Sequence, residues 1–154
     1  MLPPFAAYEL PYPKACHVYL NGTQTISSVV WTPVAINAVL WDTYSLYTGG
    51  SSQYITISED GLYFLLGKIK TSGIISTHIA AGVFYNNEYD FSVLVPPNSN
   101  GDTHVYVIYM KMLNASDKLD LRVFWPGTGT ITIGSTWKDC FLQVLKLPYI
   151  TKGY

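Results

Sequence analysis

Between residues 24 and 147 this chain is a succession of short apolar runs, each cut off by a turn cluster, and helical patterning is nearly absent. No stretch of a dozen residues repeats apolar side chains at 3.6-residue spacing without β-branched runs, Gly or Pro interrupting it. The runs at 26–31, 34–40, 54–57, 62–69, 77–85, 89–95, 104–112, 119–125, 131–133 and 140–147 read as about ten strands, at the spacing of β-sandwiches and jelly rolls. Residues 62–69 are almost continuously apolar, which predicts a strand buried on both faces. Residues 104–112 read as a strand with Val, Val, Tyr and Met on one face and Tyr, Ile and Lys on the other. Asn86-Asn87 is a two-residue hairpin candidate, residues 96–102 form a Pro/Asn/Gly loop, and Gly127-Thr-Gly reads as a hairpin turn. The expected fold class is all-β, a two-sheet antiparallel jelly-roll sandwich in one domain.

Residues 1–23 differ from the rest of the chain. Pro3, Pro4, Pro11 and Pro13 punctuate Phe5, Tyr8, Leu10, Tyr12 and Tyr19. Proline withholds a backbone donor and favours extended chain, so this segment is expected to be an arm and not a strand within a sheet. Its five large apolar side chains imply a surface to lie on, in its own domain, a neighbouring subunit or another protein. Residues 24–147 are then the jelly-roll domain, and 148–154 a second, shorter extended tail.

Composition supports concealment of surface. Only 12% of residues are charged, against roughly 25% in an average soluble domain. Hydrophobic residues reach 49%, with 13 Tyr and 4 Trp. Such a surface is expected to be covered partly by other chains, since interfaces favour Tyr, Trp and Met over Lys and Glu. The alternative is an uncharged polar surface rich in Tyr, Thr and Ser. A net charge of −1 gives no electrostatic basis for binding nucleic acid or a membrane surface. No apolar run approaches the roughly 18 residues that span a bilayer. The segment after Met1 lacks a basic region leading into an apolar one, so synthesis in a cytosol is expected, with Cys16 and Cys140 reduced by default. Pairing of the two remains open at this level. Asn21-Gly-Thr and Asn114-Ala-Ser then read as turns and not as glycosylation sites.

Catalytic chemistry finds no constellation. His17, His78 and His104 are isolated, and only His104 has an acidic neighbour, Asp102, at a loop-to-strand junction where a local hydrogen bond is the usual role. Glu59, Asp60, Asp117, Asp120 and Asp139 fall at expected turns or strand edges. His17 and Lys138 are the basic neighbours of the cysteines; a buried thiol is the expectation for each. The glycines at 127 and 129 lack the Lys-Ser/Thr and the helix of a phosphate loop. No nucleophile, base and orienting group come together, so the expectation is a protein without catalytic residues, cofactor or metal.

Several local features, taken in order, resemble the C1q/TNF-like jelly roll, including versions in tailed-phage virion proteins. Gln24-Thr-Ile-Ser, Trp31-Thr-Pro-Val and Trp41-Asp-Thr resemble its opening strands. Tyr54-Ile-Thr-Ile-Ser-Glu-Asp-Gly-Leu-Tyr-Phe-Leu resembles its strand, acidic-Gly turn and aromatic-led strand, with Tyr63 pointing into the sandwich. Leu113-Asn-Ala-Ser-Asp-Lys-Leu-Asp-Leu-Arg-Val resembles a later hairpin. Phe141-Leu-Gln-Val-Leu resembles the closing strand at the centre of the trimer-forming sheet. The resemblance implies a homotrimer with aromatic residues along the three-fold axis. Tyr63, Tyr109, Phe141 and Val144 are the positions assigned to its core or interface. A collagen-like or coiled-coil stalk, a membrane anchor and a calcium-type acidic loop cluster are not seen. The expected role is therefore a trimeric capsid decoration protein on the surface of a phage head, with the major capsid protein as partner. The alternative is a tail or baseplate tip that recognises host-surface carbohydrate.

Overall fold

A computed structural model describes residues 13–47, 49, 54–73 and 75–148. It contains twelve strands: β1 (Ala15–Tyr19), β2 (Thr23–Ser27), β3 (Thr32–Pro33), β4 (Ala38–Asp42), β5 (Ile55–Thr56), β6 (Gly61–Ser72), β7 (Ile79–Tyr85), β8 (Glu88–Val95), β9 (Thr103–Leu113), β10 (Lys118–Phe124), β11 (Thr130–Gly134) and β12 (Phe141–Lys146). No helix occurs among the described residues.

Two antiparallel sheets face each other. The larger runs β4-β1-β12-β6-β9, with β11 and β2 continuing beside the far end of β6, which pairs with β12 at 63–68 and with β11 at 71–72. The smaller runs β8-β7-β10, and both β3 and β5 border the free side of β10. Alternation decides what lies between them. From the larger sheet come Cys16, Val18, Tyr63, Leu65, Ile69, Val105, Val107, Leu142 and Val144; from the smaller, Ile79, Ala81, Val83, Leu119, Leu121 and Val123. The result is the expected all-β two-sheet sandwich.

Several expectations are corrected. The proposed arm does not reach residue 23. Ala15–Tyr19 is strand β1, hydrogen-bonded between β12 and β4, with Cys16 and Val18 fully buried, and β2 begins at Thr23. Pro13 is the last proline of the N-terminal segment, so from Lys14 onward nothing in the backbone chemistry prevents a ladder. Residues 1–12, with Phe5, Tyr8, Leu10 and Tyr12, and residues 149–154 of the proposed tail lie outside the described residues.

The run at 26–31 ends as a strand at Ser27. Val29 turns with φ 59°, donates to the Trp125 carbonyl at 2.8 Å, and stands exposed beside Val30. The run at 34–40 becomes a strand only at Ala38. Upstream, the Gln24 side chain accepts from Ala35 N (2.8 Å) and donates to Pro33 O (2.9 Å), taking the ladder's place. Gly127-Thr-Gly is not a hairpin turn, because β10 and β11 belong to different sheets. The same holds for the turn after Leu113, since β9 pairs with β6 and β10 with β7. Asn86-Asn87 does close a hairpin, both residues at positive φ (49° and 69°) as a type I′ turn requires.

Candidate self-association face

Strand β6 is not buried on both sides by the described residues. Its residues alternate strictly: Gly61, Tyr63, Leu65, Gly67 and Ile69 are buried, while Leu62, Phe64, Leu66 and Lys68 are half-exposed on the outer face. The faces of β9 also differ from expectation. Val105, Val107, Tyr109 and Lys111 share the inward side, and Tyr106, Ile108, Met110 and Met112 share the outward one. Register aligns the two sets, with Leu62 opposite Met112, Phe64 opposite Met110, Leu66 opposite Ile108 and Lys68 opposite Tyr106.

The rows continue across the sheet. Leu145 and Ala15 extend the Phe64–Met110 row; Gln143, His17 and Trp41 extend the Leu66–Ile108 row; Phe141 and Tyr19 extend the Lys68–Tyr106 row. Tyr106, Ile108, Met110 and Met112 remain 47%, 55%, 61% and 57% exposed, so this apolar set has no cover among the described residues. No carboxylate stands in these rows. Single exposed apolar residues are ordinary, but a contiguous strip of this kind marks an interaction surface.

The face is graded. Near the end where residues 13 and 148 leave the domain it is wholly apolar, with Leu62, the Phe64 ring and the thioethers of Met110 and Met112. The opposite end carries Lys68, whose ammonium donates to Lys138 O at 2.7 Å and lies 5.6 Å from the Tyr106 ring. In the middle, His17 is stacked on Phe141 (4.7 Å between centroids) and tilted against Trp41 (5.7 Å). Burial holds the His17 imidazole below its ordinary pKa, opposed by a hydrogen bond with Gln143, and its Nε2 has no partner among the described residues. A neutral ring therefore suits this packing.

The residues assigned from the sequence separate into distinct environments. Tyr63 and Val144 are interior; Tyr63 donates its hydroxyl to Glu59 O at 2.8 Å and has no exposed surface for a partner chain. Tyr109 faces inward at the open side of the sandwich, against Phe91, and donates to Asp90 Oδ2 at 2.8 Å. Phe141 lies on the outer face, as does Tyr19, which belongs to β1 and not to an arm. Leu62, Phe64, Leu66, Ile108, Met110 and Met112 were missed by sequence reasoning. Their signal was the apolar character of both faces of 62–69, attributed there to burial within one chain.

The remaining chemical candidates are structural. Asp102 accepts from Gly73 N (2.9 Å) and pairs with Lys70 (3.1 Å), not with His104. Both cysteines are buried free thiols. Cys16 is opposite Val144, four residues along β12 from Cys140, a separation of ~13 Å that exceeds the roughly 7 Å a disulfide tolerates. Among the described residues no three His, Cys, Asp or Glu side chains gather as metal ligands, and no helix is long and apolar enough to cross a membrane.

No family model matches the sequence, and no curated protein matches it. Solved structures do match in three dimensions. The Eiger TNF structure from S. frugiperda superposes with a TM-score of 0.70 at 16% identity, covering 92% of this chain and 99% of that one. Murine APRIL at pH 5.0 gives 0.65 at 13% identity, covering 88% and 99%. The globular domain of a zebrafish complement 1qA protein gives 0.60 at 15% identity, covering 88% and 98%. At such identities the likeness concerns architecture: this chain has the jelly-roll fold of TNF and C1q domains.

Proposed function

We propose that this protein is a non-catalytic structural module that assembles as a homotrimer through the outer face of its seven-stranded sheet. The observation that carries the reading is the uncovered apolar strip of β6 and β9, flanked by Phe141, Tyr19 and Trp41. Burying such a strip removes apolar area from water at roughly 25 cal/mol per Å². A face without carboxylates meets a copy of itself at little desolvation cost. The aromatic ring set on β1, β4 and β12 fits the expectation of aromatic packing near a three-fold axis. Light scattering tests the oligomer directly. A mass near three times 17.2 kDa is expected at micromolar concentration, and a monomeric mass overturns the proposal.

The trimer's biological role, on this reading, is to decorate and cement a tailed-phage capsid, with the major capsid protein as partner. Support comes from the sequence resemblance, the shortage of charge and the Pro-punctuated aromatic segment Phe5, Tyr8, Leu10 and Tyr12 preceding β1. Arms of this kind order on a neighbour, and their aromatic contacts must outweigh the conformational entropy lost. The test is co-sedimentation with empty capsids of the source virus. Saturable binding that disappears when residues 1–12 are deleted supports decoration. Absence of shell binding, with host-cell binding that survives the deletion, assigns the protein instead to a receptor-binding tip. The truncation must stop before Ala15, because β1 is part of the sheet.

A further inference from the structure

On the other sheet, away from the self-association face, a concave site of about 460 Å³ opens between Tyr54, Asn86, Asn87, Ser116 and Lys118. Three separate turns meet there: the approach to β5, the β7–β8 hairpin and the β9–β10 crossover. Asn86, Asn87 and Ser116 have φ of 49°, 69° and 76°, three of the five non-glycine residues with positive φ among those described. Left-handed backbone at non-glycine residues is uncommon, and it persists where surrounding structure enforces it.

Here the enforcement is visible. Asn86 N donates to Lys118 O (2.9 Å), Lys118 N donates to Asn86 Oδ1 (2.9 Å), and Asn86 Nδ2 donates to Asp117 Oδ1 (3.1 Å). Asp117 also accepts from Tyr85 Oη (2.9 Å) and Asn114 N (2.6 Å), so its carboxylate is occupied by the scaffold. Asn87 Oδ1 is taken by Arg122. These contacts occupy the amide and carboxylate acceptors of the site and leave its amide and ammonium donors, with two hydroxyls that can donate or accept. Asn87 Nδ2, Ser116 Oγ, Tyr54 Oη and Lys118 Nζ make no side-chain hydrogen bond or ion pair among the described residues, and Lys118 Nζ stands 5.7 Å from the Tyr54 ring centroid.

We propose that this pocket binds a saccharide bearing a carboxylate, of the uronic-acid class. The Lys118 ammonium pairs with the carboxylate, the Tyr54 ring supports the C–H face of the sugar, and Asn87 and Ser116 donate to ring or hydroxyl oxygens. A small inorganic anion would satisfy the lysine and leave the aromatic wall and most of the volume unused. A neutral sugar would satisfy the wall and leave the lysine unpaired. Being on the smaller sheet, the pocket stays open whether or not the larger sheet is covered by other subunits. Its occupancy is therefore independent of trimer assembly.

The test titrates the full-length protein with methyl glucuronide, methyl glucoside and inorganic phosphate, read by backbone amide shifts. Saturable shifts confined to Asn86, Asn87, Ser116 and Lys118 are expected with the glucuronide, at least about tenfold stronger than with the glucoside. Lys118→Ala and Tyr54→Ala are each expected to weaken glucuronide binding about tenfold, with the light-scattering mass and melting midpoint unchanged. Equal binding of phosphate, or full glucuronide binding by Tyr54→Ala, reduces the site to a plain anion contact and overturns the proposal. Absence of any saturable shift overturns it as well. Because the mass is read on the same samples, loss of the pocket and loss of the trimer are told apart.

Discussion

Gly127 lies directly against the Trp125 indole: a Cβ at that position would fall 2.2 Å from Cζ2 and 2.3 Å from Cε2. Trp125 is buried beneath the crossover from β10 to β11, so its ring has no free space to retreat into. Gly127→Ala is expected to cost about 2 kcal/mol, as overpacked interiors do, measured from the urea-unfolding midpoint. The two thiols illustrate burial of another kind. Burial, aided by the Asp42 carboxylate, pushes Cys16 up to about 12, and burial likewise raises Cys140 to about 11. In the folded protein neither is expected to react with a thiol reagent at pH 8, whereas both react after unfolding. Because the unfolded thiols ionise first, their contribution to stability is intact below about pH 9 and is lost as pH climbs toward 11 to 12. His17 acts at the other limit. With its folded pKa below the ordinary 6.5, protonation favours the unfolded chain, and stability falls as pH drops below that value. His17→Gln is expected to flatten that acid slope in thermal melts between about pH 7 and 5.

At the scale of elements, β1 shows how one short strand organises its neighbours. Its five residues pair with β12 on one side and four of them, Cys16 to Tyr19, with β4 on the other, and Lys14 O accepts from Lys146 N beyond the strand's end. Removing residues 1–12 is expected to leave the circular-dichroism spectrum and the melting midpoint intact. Removing residues 1–19 takes out β1, strips β12 and β4 of their shared partner, opens the core at Cys16 and Val18, and is expected to abolish cooperative unfolding. Both outcomes are read from the same melts. Strand β8 is tied down by another device. A bulge at Val83/Phe84 lets Tyr89 face outward with Phe84 and turns Asp90 toward Lys111 and the Tyr109 hydroxyl. The two sheets are thereby latched on their open side.

For the whole molecule, the decisive asymmetry is between the two outer faces. That of the smaller sheet is partly roofed by its own chain, with Tyr89 and Leu94 left exposed at the β8 edge. Trp31 crosses it, packs against Phe84, Tyr89 and Phe124, and approaches Gly82, whose missing side chain makes room. Among the described residues, that of the larger sheet has no such roof over Ile108, Met110 and Met112. If the proposed trimer forms through this face, Ile108→Asp is expected to convert it to a species of about 17.2 kDa with little change in the monomer's core, since the substituted side chain points away from it. Because no charge pair sits in the exposed rows, raising sodium chloride from about 0.1 to 1 M is expected to leave the proposed trimer associated, as light scattering would show.

The sequence by itself determined the fold class. Period-two patterning, turn residues at Asn86-Asn87 and the absence of helical spacing admit few architectures for a chain of this length, and these signals are local. The shortage of charge raised the expectation of hidden surface, with an uncharged polar surface as the alternative. Only the tertiary structure shows which apolar surface stands open among the described residues. An apolar strand such as 62–69 reads the same whether its second face is covered by its own chain or left open for another, because that depends on sheet order, a long-range property. The same holds for residues 15–19, which sit beside prolines in sequence but between two strands in space, and for the turns after Leu113 and around Gly127, whose flanking strands belong to opposite sheets. Local chemistry specified strands and turns; the pairing of distant strands placed the open apolar face on one sheet and the donor-lined pocket on the other.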